Sequence, residues 1–234
     1  MKNSPFSSYG AYKDSGIDWL GEVPAEWAVV RNKDIFKERS SLSTTGKETL
    51  LTVSHITGVT PRSEKNVNMF MAETMEGYKI CHKGDLVINT MWAWMGALGT
   101  SNELGICSPS YNVYMPIKGI PYNHRYFDYL FRIPNAIVEM TRNSKGIVSS
   151  RLRLYAKDFF QIETVLPPLR EQEAIAHYLD TKTDQIDRKI DLLTQKAALY
   201  GNLKQSLINE TVTRGLDKSV PMKDSGIEWL GKVP

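Results

Sequence analysis

Five cations crowd one short stretch of this 234-residue chain. Between Thr141 and Lys157 lie Arg142, Lys145, Arg151, Arg153 and Lys157, with no acidic residue among them. Asn143, Gly146, Ser144, Ser149 and Ser150 give the same stretch the composition of a loop able to lie against another backbone. Such a loop can neutralise phosphates, and its arginines can reach the acceptor edge of a guanine. A solvated basic loop has the same composition, so the residues alone leave both readings open. A second segment, Asn89-Thr90-Met91-Trp92-Ala93-Trp94-Met95-Gly96, follows a strand-like run that begins after Lys83-Gly84-Asp85. It reads either as a core plug or as a loop presenting Asn89, Thr90 or Trp92 to a groove. The candidate nucleic-acid contacts are therefore Arg142, Lys145, Ser149, Arg151 and Arg153, followed by Asn89 and Trp92.

Other chemistry finds little support. The chain has no GxxxxGK[ST] phosphate loop, no GxGxxG and no HExxH. His55, His82, His124 and His177 are scattered, and no carboxylate cluster has metal-binding spacing. Cys81 and Cys107 form no CxxC pair, so neither a zinc site nor a disulfide framework is expected, and a reducing compartment is the simplest setting. Ser108-Pro109-Ser110-Tyr111 echoes the (N/D/S)PP(Y/F) motif of amino-methyltransferases, but the second proline is missing and no cofactor-binding glycine motif precedes it. A turn leading into a strand explains it better. No catalytic residue, metal or bound cofactor is expected.

Composition sets wide bounds. A hydrophobic fraction of 41% with 24% charged residues can bury a core. The net charge of +3 permits nucleic-acid binding without arguing for it. No run reaches the roughly 18 apolar residues that cross a membrane, and the N-terminus lacks the apolar segment of a secretory signal. The expected location is the cytoplasm.

The elements that must position these residues follow from a repeat. Residues 12–24 read YKDSGIDWLGEVP and residues 222–234 read MKDSGIEWLGKVP, with ten of thirteen positions identical. One structural unit thus starts at residue 12 and a second at residue 222, which makes the chain one period of a two-period design. Up to about Leu166 short apolar runs such as Asp85–Ile88 and Tyr111–Met115 alternate with turn residues and read as strands, while residues 126–131 and 135–140 read as short helices. After Pro167-Pro168 the pattern changes. Ile175, Leu179, Ile186, Ile190, Leu193, Ala197, Tyr200, Leu203 and Leu207 recur at threes and fours, with Lys182 filling one stripe position, until Arg214-Gly215. A helix of about 40 residues spans roughly 60 Å, and so narrow a stripe calls for a partner helix. The fold class is α+β: a globular mixed α/β domain over 1–166, a long coiled-coil-forming helix over 167–215, and a partial second copy of the N-terminal repeat over 216–234.

Three segments carry a family resemblance. Tyr12–Pro24 followed by Glu26-Trp27 closely resembles the start of the target recognition domain in specificity subunits of type I restriction-modification systems. Leu166-Pro167-Pro168-Leu169-Arg170-Glu171-Gln172, continuing to Asp180, is similar to that family's LPPLxEQxxIAxxLD lead into its spacer helix. His82-Lys83-Gly84-Asp85-Leu86 resembles its internal KGD-strand element. The resemblance implies two recognition domains and two antiparallel helices per full subunit, each domain reading half of a split DNA site. It also implies modification subunits that hold S-adenosylmethionine and methylate adenine, and an ATP-driven restriction subunit that joins them. This sequence departs from the pattern by showing one recognition domain and one helix.

The expected function is accordingly sequence-specific recognition of double-stranded DNA, directing methylation and restriction by partner subunits, with S-adenosylmethionine and ATP held only by those partners. The expected assembly is a twofold homodimer through Ile175, Leu179, Ile186, Ile190, Leu193, Tyr200 and Leu207, reading a split palindrome. A coiled-coil adaptor without DNA specificity is the alternative. The second repeat copy is expected not to begin a folded unit, and to be either disordered or docked beside the partner's first copy.

Overall fold

The computed structural model describes residues 9–65, 72–148 and 151–234. It divides into two compact units, Met1–His177 and Tyr178–Pro234.

The first unit opens with a hairpin, β1 (Tyr12–Asp14) and β2 (Glu22–Pro24), paired antiparallel. Then follow β3 (Ala28–Arg31), the single-turn α1 (Asn32–Ile35), β4 (Phe36–Glu38), β5 (Leu51–Ser54), β6 (Gly58–Pro61), β7 (Lys79–Cys81), β8 (Leu86–Asn89), β9 (Leu98–Thr100), β10 (Gly105–Cys107) and β11 (Tyr111–Pro116). Two nine-residue helices come next, α2 (His124–Arg132) and α3 (Pro134–Arg142), then the short α4 (Ala156–Phe159), β12 (Glu163–Leu166) and the start of α5 (Leu169–Arg214). The central sheet has the order β4-β11-β8-β9. Its inner strand β8 is Leu-Val-Ile-Asn, buried at every position, as a strand covered on both faces should be.

One core lies where α2, α4 and the start of α5 meet this sheet. Phe36, Phe127, Phe131 and Phe159 meet there with centroid separations of 5.6–6.1 Å, spacings at which aromatic rings attract beyond their buried area. A smaller core gathers Leu51, Val53, Val59, Val87 and Val113 on the other side of β8 and β11.

Two of the sequence motifs are structural fasteners. In His82–Leu86, Gly84 has a φ of +89°, a conformation open to glycine at little cost. Asp85, 2% exposed at its side chain, binds Arg39 through two hydrogen bonds of 2.6 and 3.0 Å and accepts the His82 N–H at 2.8 Å. At the start of α5, Gln172 is fully buried. Its Oε1 accepts the Asn123 N–H at 2.8 Å, and its Nε2 donates to the carbonyls of Pro121 and Pro167 at 3.0 and 2.8 Å. Beside it, Glu171 accepts the Trp27 indole N–H at 2.8 Å and the Tyr9 hydroxyl. The EQ of the helix motif and the tryptophan after the first repeat thus form one joint. Ile175, expected on the dimer seam, is half-buried against the same core and helps hold the first turns of the helix.

In the second unit α5 continues without a break to Arg214. Ile186, Ile190, Leu193, Tyr200, Leu203 and Leu207 are exposed along it, as are Leu192 and Leu199, which lie outside the predicted stripe. The chain then turns into β13 (Lys223–Asp224) and β14 (Lys232–Val233), paired antiparallel. The second repeat copy thus forms a short hairpin of its own.

Candidate nucleic-acid interface

The basic segment is anchored at both ends. Asn143 caps α3, its Nδ2 donating to the Glu139 carbonyl at 2.9 Å, and the Ser144 hydroxyl donates to the Met140 carbonyl at 2.7 Å. Lys145 and Arg153 then bond each other reciprocally through their backbones, at 2.9 Å each way. Gly146 sits at the neck: a β-carbon there would lie 2.6 Å from the Arg151 carbonyl oxygen, so any side chain forces the neck open. Beyond the neck Ile147 and Arg151 stand in solvent, while Leu154, buried at 1% exposure, ties the returning strand to the core.

The expected cations fall into two groups. Arg142 faces Glu139 at 3.4 Å and Lys145 binds Asp158 at 2.6 Å, so each already has a carboxylate partner. Arg151 and Arg153 are exposed and make no ion pair with a described residue, which leaves their guanidinium groups open to a phosphate or a base edge. Ser149 lies outside the described residues.

The tryptophan turn is the immediate neighbour of this loop. The Leu154 N–H donates to the Thr90 carbonyl at 3.1 Å, and the Thr141 hydroxyl reaches the Trp94 carbonyl at 3.4 Å. Gly96, with a φ of +82°, leaves room for Ile137 of α3, whose Cδ1 would lie 2.7 Å from any β-carbon at that position. Within the turn Asn89 is buried, and its Oδ1 accepts the Met91 N–H at 3.3 Å, so it shapes the turn from inside. Trp92 is 49% exposed and stacks on Trp94, with centroids 6.2 Å apart and planes 15° from parallel. The segment thus combines the two readings the sequence left open: Ala93 is a buried plug and Trp92 a displayed ring.

On its other side the turn borders a cleft of about 290 Å³ lined by Thr52, Arg62, Tyr78, Met91, Trp92 and Tyr111. Burial pushes the Tyr111 phenol above its usual range, which keeps it a neutral hydrogen-bonding group. Arg62 and Tyr78 were not singled out from the sequence, and Tyr111 only as the end of a turn leading into a strand. They come from the turn after β6, the lead into β7, and β11, and no spacing in the chain links them. Among the described residues, no group of three or more His, Cys, Asp or Glu side chains could hold a metal ion.

A family model described as the type I restriction modification DNA specificity domain matches residues 24–198. The chain belongs to this family. Solved structures agree on the fold. One is a chain described with the complex assembly and conformational transition of a type I R-M system, similar at a TM-score of 0.59 and 18% identity over 88% of this chain and 49% of that one. Another is the HsdS subunit from Thermoanaerobacter tengcongensis, with a TM-score of 0.51 and 17% identity over 88% of this chain and 48% of that one. The chain spans about half the length of these structures. A comparison with curated proteins finds no match. In this specificity domain the two family segments that fall within the matched span, His82–Leu86 and Leu166–Asp180, are the fasteners of turn and helix. The exposed cations and Trp92 stand on the loops between them.

Proposed function

We propose that this specificity domain reads one half of a split site in double-stranded DNA and directs modification and restriction subunits that bind to it. The observation that supports the reading most is the adjacency of two loops. The Gly146–Leu152 loop with Arg151, its neighbour Arg153, and the displayed Trp92 are joined by the Leu154–Thr90 bond. Arginines without carboxylate partners give salt-dependent phosphate binding, and a few of them supply base readout. Selection from randomised duplexes followed by gel shift tests the reading. A recovered consensus is expected, with affinity falling steeply with salt. Binding without sequence preference would favour a coiled-coil adaptor.

Two copies pair through α5 in antiparallel fashion, in this reading, and present two identical readers. Support comes from the column Ile186, Leu193, Tyr200 and Leu207, exposed at seven-residue intervals. Each Leu or Ile removed from water contributes about 1.5–3 kcal/mol, and twofold closure is the commonest arrangement of identical chains. The partner subunits carry S-adenosylmethionine and ATP, and this chain carries neither. Calorimetry of the isolated chain with S-adenosylmethionine is expected to show no binding.

A further inference from the structure

The tip of the β5–β6 hairpin is fixed from several directions. Ser54 and Gly58 face each other at its end, and His55, Ile56 and Thr57 form the turn between them. Gly58, with a φ of +67°, supplies the left-handed residue that closes a three-residue loop. The Ser54 hydroxyl oxygen accepts the Ile56 N–H at 3.3 Å and the Thr57 N–H at 3.1 Å. The Lys65 ammonium donates to the Ser54 hydroxyl at 3.0 Å and to the Thr57 hydroxyl. From α2, the Arg132 guanidinium donates to the Ile56 carbonyl at 2.6 Å.

Arg132 is itself held. Asp128, 6% exposed, faces Arg132 at 3.4 Å and Arg125 at 3.6 Å, and accepts the Thr100 N–H at 2.8 Å. The packing around this group is close: a β-carbon on Gly58 would lie 3.2 Å from the Arg132 guanidinium, and one on Gly99 would lie 3.2 Å from the Gly58 Cα. What the fixed turn holds out is the side chain of Ile56, 74% exposed. An exposed isoleucine by itself needs no explanation. This one has its N–H and its carbonyl both bonded, on a turn to which two cations are also bonded, so an apolar tip stands rigidly in a basic setting. The tip also lies beside the candidate interface. His55 and Gly96 line one cleft of about 390 Å³ together with Tyr129, Ile133 and Ile137, and Gly96 ends the turn that displays Trp92.

We propose that Ile56 is a wedge, whose side chain enters between two base pairs of the DNA this domain reads and kinks the duplex there. The inference rests on the DNA-reading function proposed above. Aliphatic wedges of this kind part a base step from the minor groove and bend the duplex by about 20–90°. The apolar side chain fills the opened stack, while Lys65 and Arg132 lie close enough to the tip to meet the phosphates on its flanks. A turn already fixed loses little further freedom when it inserts. Pyrimidine–purine steps kink most readily, so the wedge favours such a step without touching a base edge. Ile56 is then a specificity-determining residue of a different kind from the arginines of the basic loop.

The test uses the full chain, without partner subunits, on the duplex recovered by selection, with a fluorophore at each DNA end. Energy transfer is expected to show the ends drawn together in the complex. Ile56→Ala, exposed enough to leave the melting temperature unchanged, should lose that bend and bind several-fold more weakly, while Ile56→Leu keeps both. A one-nucleotide gap at the pyrimidine–purine step should restore the binding of Ile56→Ala, because a gapped duplex kinks without a wedge. A straight complex with the parent chain, or a bend that Ile56→Ala leaves intact, overturns the wedge while sequence-specific binding stands. Ile56→Ala that binds and bends as the parent does but fails to assemble with modification subunits also overturns it, and makes the tip a protein contact. Absence of sequence-specific binding to any duplex overturns the DNA-reading function itself.

Discussion

Arg151 and Arg153 differ from Arg142 and Lys145 in having no carboxylate partner among the described residues, and that difference divides their expected effects. An arginine already paired with Glu139 gains less by moving to a phosphate than one that faces only water. Arg151→Ala and Arg153→Ala should each weaken DNA binding and flatten its salt dependence. If one of them reads a guanine, its loss should cost about 1–3 kcal/mol on the preferred site and relax the choice there. Arg142→Ala should cost less, as measured by gel shift over a range of salt. Equal losses for all of these residues would mean that the carboxylate partners make no difference to binding. Asp85 stands at the opposite extreme. Asp85→Asn leaves the half-buried Arg39 without its counter-charge, and breaking a buried pair typically costs about 3–5 kcal/mol. Denaturant melts should show a loss of that order, with sequence preference unchanged in whatever fraction stays folded. The two thiols offer a passive probe of the same interior. Burial raises the Cys107 thiol to about 12 and pushes Cys81 higher still. Since the thiolate is the reactive form, iodoacetamide at pH 8 should label neither until the domain unfolds.

At the scale of elements, the joint between recognition domain and long helix hangs on Gln172. Its three hydrogen bonds satisfy one backbone N–H and two carbonyls of the loops beneath it. Gln172→Leu leaves those groups unpaired, and a loss of at least about 2 kcal/mol in thermal or denaturant melts is expected. Farther along, Leu193→Asp with Leu207→Asp puts charge into the exposed column and should give a monomer by light scattering with helicity retained. A dimer of unchanged stability would place the seam elsewhere. These elements were the legible part of the sequence, because a helix repeats its stripe every few residues and a central strand is apolar throughout. The interface was only half legible. The cations and tryptophans advertised themselves by type. Arg62, Tyr78 and Tyr111 did not, because strand pairing that is remote in sequence brings them to one cleft. Ile175 shows the converse. Periodicity put it on the stripe, but the stripe does not say which part of it the chain's own domain covers.

For the whole molecule, the proposed twofold pairing of identical readers makes a definite statement about the target. Sites recovered by selection with the full chain should be inverted repeats around a fixed gap, because a dimer axis imposes its symmetry on what it reads. An asymmetric consensus would contradict the pairing however well the DNA bound. Shortening α5 by one heptad should then change the gap and leave the half-site sequence alone, which separates the ruler from the reader.

The reciprocal Lys145–Arg153 bond has an evolutionary corollary. It closes the loop at its neck and puts the anchoring residue, Leu154, outside the enclosed segment. Ile147, Val148 and Arg151 are exposed, so substitutions at these positions should cost the domain little stability and selection for folding bears lightly on them. Grafting an unrelated loop between Gly146 and Leu152 should leave the melting temperature nearly unchanged while rewriting the selected sequence.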